Sequence, residues 1–199
     1  MDLPIKDPIS KILASLEIFN SKEIPSILER ITVAPYEDAE ENLAKADYIF
    51  EGVPELIHVK EDAIGCASRM ASDKAIIAST TSTILVTQLM QFSSYPKNFL
   101  NAHFLNPAYL IPLVEVSPSN ITDKKIVDKF LKLLKSIGKV PVICKASPGY
   151  IIPRFQSLIM SEAARMIEEG IATAEDIDQA VTTGFGIRYA TMGPIEFID

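Results

Sequence analysis

Apolar positions recur along the chain with two different periods. Behind Asp7-Pro8, an N-cap and first-turn pair, "ISKILASLEIF" repeats its apolar residues at helical spacing. "IPSILER" predicts a short helix, "ITVAP" is a short β-branched run, and "YEDAEENLAKA" predicts a polar helix. "DYIFEGV" and "AIIAS" read as buried strands, each followed by a helical pattern, "ELIHVKEDAIGCASRMA" and "TILVTQLMQF". This alternation predicts an α/β layer with a parallel sheet. "NFLNAHFL" and "LIPLVEV" are two more strands, and their connection is too short for a parallel crossover, so this pair is expected to be antiparallel. Thr122 is expected to cap the long helix "DKKIVDKFLKLLKSI", which Gly138 ends, and "KVPVICK" closes this part.

The pattern changes after "ASPGY". From Ile152 to Ile167 it is helical, with Gly170 as a stop, and Thr173 then caps "AEDIDQAVTT". A domain boundary is expected near Ser147, dividing residues 1–146 from a helical part at 147–199. Pro194 in "MGPIEFID" is placed like the first residue of a further helix. Nucleotide-binding α/β domains open with strand, GxGxxG and helix. The eight glycines are scattered, and the one GxG, "GFG" at Gly184 to Gly186, follows a helix and lacks the third glycine. Both ends therefore read as cut, and the chain as written is expected to bind a dinucleotide poorly.

Composition narrows the partners. The chain has 199 residues, 48% apolar and 23% charged, with a net charge of −7. That balance suits a soluble globular protein and disfavours nucleic acid or an acidic membrane as main partner. A negative chain can still hold an anionic cofactor on local backbone amides. No apolar run approaches the roughly 20 residues that span a bilayer, and "MDLPIKDP" has no signal-peptide pattern. Cys66 and Cys144 show neither CxxC nor metal-ligand spacing, so they are expected to be reduced thiols in a cytoplasmic protein, and no metal site is read.

The candidate chemistry centres on one of the two histidines. If the last two strands named form a hairpin, Tyr109 is its midpoint, and His103 and Glu115 are equidistant from it. They would then face each other across the pair. A carboxylate on one imidazole nitrogen fixes the tautomer and leaves the other as general base. The same spacing fits a satisfied, half-buried histidine beside a strand glutamate. "STTSTI" sets hydroxyls at Ser79, Thr80, Thr81, Ser82 and Thr83 past a strand's carboxyl end, where α/β sheets bind ligands. One of these hydroxyls is expected to cap the next helix. "FEGVPE" places Glu51 and Glu55 at another such end, with Lys60 further along the helix; the acids also suit a helix start.

"IIASTTSTI", "AHFLNPAYLIPLVEV", "GKVPVICKASPGYIIPR", "EEGIATAEDIDQAV" and "GFGIRYATMGPIEFID" occur in this order. Together they resemble the L-3-hydroxyacyl-CoA dehydrogenase family, which includes the lambda-crystallin/gulonate and carnitine 3-dehydrogenase branches. The resemblance covers the chain from about Ile31 onward. It implies an incomplete Rossmann-like, mostly parallel sheet with an antiparallel pair. The start of an all-helical substrate and dimerisation domain would follow. The implied cofactor is NAD and the implied reaction is oxidation of a short 3-hydroxyacyl-CoA, or of a small non-CoA hydroxy acid. A non-catalytic remnant of the family is a further possibility. By resemblance, His103 is the base, Glu115 orients it, and Ser82 holds the substrate oxygen near the nicotinamide. Asn106 contacts cofactor or substrate, and Glu55 and Lys60 belong to the nucleotide side. Arg188 in "GIRYA" would pair with a free carboxylate on a small hydroxy acid. A homodimer acting on a small molecule, in fatty acid metabolism, is the implied setting. One departure is Pro153, where "GYIIPR" replaces the family's "GFxxNR"; Gln156, one turn on, is the candidate substitute.

Overall fold

The computed structural model describes residues 20–35 and 38–198. The helix expected over "ISKILASLEIF" lies outside them. The chain divides into two compact units, residues 1–46 with 70–72, and the remainder. In the first unit, the described elements are a 3-10 turn at Ser21–Glu23 and two short helices, α1 (Ile24–Glu29) and α2 (Ala39–Lys45).

The second unit is built on a five-stranded sheet in the order β1 (Tyr48–Glu51), β2 (Ile76–Ser79), β3 (Phe99–Phe104), β4 (Leu113–Pro118), β5 (Val140–Ile143). β1, β2 and β3 are parallel neighbours, β3 and β4 are antiparallel, and β4 and β5 are parallel. The helices are α3 (Ile57–Met70) after β1, α4 (Val86–Leu89) after β2, and α5 (Lys124–Ser136) between β4 and β5. Beyond the sheet come α6 (Ile152–Glu168), α7 (Ala174–Ala180), a π-helical turn at Val181–Gly186, and α8 (Ile187–Tyr189).

Strand side chains alternate between faces, and the two faces differ. On one, Ile76, Ala78, Leu100, Ala102, Val114 and Val116 form a core with Phe130 and Leu134 of α5. Phe130 also meets Phe50 and Tyr48 ring against ring. The other face changes character along the strands. Ile77 and Phe99 pack with Ile64 of α3 and with Val86 and Leu89 of α4. Two residues further toward the carboxyl ends, Glu51, Ser79, Asn101 and Ser117 stand in register as one buried polar row. His103 and Glu115 are the next register pair on that face.

Several expectations change in detail. "ITVAP" forms no strand: β-branched residues favour a strand only where a neighbour completes its ladder, and Ile31 and Val33 are exposed. "TILVTQLMQF" is helical only over Val86–Leu89, with a 3-10 turn at Met90–Phe92. No hydroxyl caps α4, whose N-cap is Leu85; the Thr81 hydroxyl instead accepts from the Ile84 amide at 3.0 Å within the turn. α5 is capped by Asp123, whose side chain accepts from the Lys125 amide at 2.8 Å. Thr122 is diverted to the sheet, donating to the Phe99 carbonyl at 2.9 Å. The "AEDIDQAVTT" helix starts at its Thr173 cap, but its α-helical part ends at Ala180. Pro194 opens only turns.

Candidate active site

All the candidate residues lie in the second unit. His103 and Glu115 face each other across the antiparallel pair, with His103 Nδ1 at 2.8 Å from Glu115 Oε2. Glu115 is fully buried and His103 is 6% exposed. Burying a carboxylate is tolerable only where donors surround it. The second oxygen, Oε1, accepts the Ile151 and Ile152 amides at 2.8 and 2.9 Å, at the amino end of α6. The partial positive charge of that helix end supports the anion. An ionised carboxylate only accepts, so Nδ1 is the nitrogen placed to donate to it, and in a neutral ring so bonded Nε2 would be the acceptor. This is the arrangement of a general base held in one tautomer.

The surroundings keep the pair intact. The ring of Tyr150 lies parallel to the imidazole at 4.9 Å between centroids and 8° between planes. Its hydroxyl donates to the Thr81 carbonyl at 2.9 Å and accepts from Asn101 Nδ2 at 3.1 Å. Burial raises the Tyr150 phenol above its ordinary range, so it stays a donor. Burial and then the charge of Glu115 raise the Cys144 thiol, which keeps it un-ionised and a poor nucleophile. Asn101 Oδ1 is the one buried side-chain nitrogen or oxygen, among the described residues, without a hydrogen-bond partner in the protein.

A second network closes the ends of β1 and β2. Lys60, 1% exposed, donates to both oxygens of buried Glu51 at 2.9 and 3.1 Å, and to the Val53 carbonyl at 3.2 Å. Ser79 adds a 2.5 Å bond to Glu51. Glu55 lies 3.3 Å from the same ammonium and gathers the turn after β2: the Thr81 and Thr83 hydroxyls and the Ser82 and Thr83 amides all donate to it. Burial pushes the Glu55 carboxyl up, but these hydrogen bonds and the Lys60 charge outweigh it and hold it at about 2. Glu55 is therefore an anion that shapes the loop carrying Ser82.

The structure brings together His103, Glu115 and the Ser82 turn, through Tyr150 and Thr81. Ser82 and Asn106 are exposed. The loop carrying Asn106 is held by Lys139, whose ammonium donates to the Ala108 and Ile111 carbonyls. Lys60 is turned inward and committed to two carboxylates. Arg188 lies over the ring of Phe197, 4.6 Å from its centroid. Pro153 sits in the first turn of α6, where it costs no helical hydrogen bond, and Gln156 is exposed. Sequence reasoning missed Glu51 as counter-ion to Lys60, and Asn101 and Tyr150 as the bridge between strand ends. Asn101 had a signal, since it shares the face of His103 two residues away; Tyr150 had none.

Comparison with known proteins gives the lineage. Residues 5–147 match the family described as 3-hydroxyacyl-CoA dehydrogenase, NAD binding domain, and residues 149–199 match its C-terminal domain. The chain is 31% identical over 197 residues to the mitochondrial hydroxyacyl-coenzyme A dehydrogenase of Sus scrofa, covering 98% of this chain and 62% of that one. It is 37% identical over 156 residues to the L-carnitine dehydrogenase of Oceanobacillus iheyensis, covering 78% and 51%. The solved (S)-3-hydroxybutyryl-CoA dehydrogenase of Ralstonia eutropha superposes with a TM-score of 0.80 at 28% identity, over 88% of this chain and 61% of that one. The chain spans about half the length of most curated relatives it matches. With two consecutive family matches across nearly its whole length, the chain belongs to the 3-hydroxyacyl-CoA dehydrogenase family of NAD-dependent oxidoreductases.

Proposed function

We propose that this chain takes part in the NAD-dependent interconversion of a short 3-hydroxyacyl-CoA, such as 3-hydroxybutyryl-CoA, and its 3-keto form. The observation that carries the reading is the buried His103–Glu115 pair at the carboxyl end of β3. His103 Nε2 takes the proton of the substrate hydroxyl, while Glu115 holds Nδ1 protonated and offsets the charge gained by the ring. Ser82, exposed on a turn pinned by Glu55, offers a hydroxyl to the substrate oxygen. Asn106, on the loop held by Lys139, offers an amide to substrate or cofactor.

NAD, when bound, would supply the acceptor for the hydride leaving the carbon that bears this hydroxyl. The residues present fit its nicotinamide end, where Ser82 and Asn106 supply exposed polar groups. Glu55, anionic and partly exposed, suits hydroxyl or amide donors rather than a phosphate. The Lys60 charge is spent on Glu51 and Glu55, and the described residues contain no GxGxxG turn, so they offer no pyrophosphate cradle of that kind. The division near Ser147 would separate the cofactor-binding part from a helical part that helps form a homodimer. A cytoplasmic setting accords with Cys66 and Cys144 being thiols rather than a disulfide. Among the described residues no helix is long and apolar enough to cross a membrane.

A second reading is a dehydrogenase of a small, non-CoA hydroxy acid. It is supported by the 37% identity over 156 residues to an L-carnitine dehydrogenase, beside 31% over 197 residues for the CoA enzyme. Arg188 is the candidate partner for the acid's carboxylate. The two readings separate in one assay: NADH consumption with acetoacetyl-CoA, and NAD reduction with L-carnitine and L-gulonate. Turnover of the thioester alone supports the first reading, turnover of a free acid alone supports the second, and none with any substrate at saturating cofactor counts against both.

A further inference from the structure

Tyr150 holds an unusual position. Its backbone has φ = +43°, directly after Gly149 at +75°. A side chain with a β-carbon is disfavoured in that left-handed region, so the surrounding contacts must hold it there. Those contacts all lead to the proposed base. The ring lies flat on His103. The hydroxyl spans two strand ends, donating to Thr81, one residue before Ser82, and accepting from Asn101, on the His103 face of β3. The next two amides, Ile151 and Ile152, hold Glu115. Three consecutive residues thus touch His103, its carboxylate partner and the turn that carries Ser82.

We propose that Tyr150 is a positioning residue: its ring sets the plane of the His103 imidazole, and its hydroxyl fixes that plane relative to the Ser82 turn. The stacked face supports a positive ring, as an aromatic surface does for a cation. The hydroxyl is what a phenylalanine would lack. Without it the Thr81 carbonyl loses its donor, and the ring is held by packing alone.

The kinetic part of this proposal rests on His103 being the base; the spectroscopic part does not. The test compares Tyr150→Phe and Tyr150→Leu with the unaltered protein by proton NMR of His103, alongside kcat and KM. Tyr150→Leu is expected to shift the His103 carbon-bound protons by loss of the ring current. It should speed exchange of the Nδ1 proton and lower kcat, each about tenfold or more, with KM within about threefold. In a His103→Gln background the same change should cause no further loss of kcat. Tyr150→Phe should keep the ring-current shift but speed Nδ1 exchange by roughly threefold or more. Unchanged shifts and exchange in folded Tyr150→Leu, or losses that multiply fully with His103→Gln, overturn the proposal. If circular dichroism shows that Tyr150→Leu does not fold, Tyr150→Phe decides, and unchanged Nδ1 exchange there overturns it. If the unaltered protein turns over no hydroxyacyl substrate, the proposed function fails, and the NMR comparison still decides what Tyr150 does to the ring.

Discussion

Glu115 binds His103 with one carboxylate oxygen and the first turn of α6 with the other. His103 and the helical segment after the sheet are therefore tied to the same side chain. The tie also predicts what an isosteric change would do. In Glu115→Gln the amide oxygen stays with the two backbone donors, and the amide NH2 meets Nδ1. The ring proton must then move to Nε2, where the base has to be free. Turnover should fall by about 10²–10⁴-fold with the far-UV circular dichroism unchanged, as steady-state kinetics on the purified variant would show.

Glu55 predicts acid sensitivity. Its folded carboxyl is held at about 2 against an ordinary value of 4.5. A folded value below the unfolded one adds stability that is fully present above 4.5 and is lost as pH falls toward 2. Glu55→Gln should remove that part of the pH dependence. Urea midpoints measured across this window should slope less in the variant than in the unaltered protein, while equal slopes would contradict the assignment.

Lys60 is a buried ammonium whose partners are buried Glu51 and half-exposed Glu55. Removing the cation leaves Glu51 uncompensated, a loss of about 3–5 kcal/mol for such pairs. Lys60→Met should show that drop in denaturant unfolding, and Glu51→Gln added to it should recover part of the loss. A cofactor phosphate contact alone would leave the stability of the unliganded protein unmoved.

Phe130 tests the opposite face of the sheet. It is fully buried against Phe50 and Tyr48. Phe130→Ala should cost about 3–5 kcal/mol and leave the NMR signals of His103 in place, since α5 packs on the face away from the polar row.

Local patterns were legible where local physics decides them. Short apolar runs marked β1, β2, β3 and β4, and reading the short connection centred on Tyr109 as a hairpin set His103 opposite Glu115, as the register has it. Where a residue's fate depends on distant partners, the pattern was silent. Nothing in "GYIIPR" shows that its amides meet a carboxylate 36 residues earlier. Nothing in "ELIHVK" shows that Lys60 folds back to Glu51 inside the protein. "ITVAP" has strand propensity but no ladder, and Thr122 has a cap's chemistry but a better-placed acceptor in Phe99.

The most direct test of the proposed chemistry is the rate of NAD reduction with 3-hydroxybutyryl-CoA by the protein and by His103→Gln, with folding checked in both. A loss of about 10²–10⁴-fold in kcat, with KM within about threefold, is the predicted result. A variant within threefold of the unaltered rate would contradict the assignment of His103 as the base.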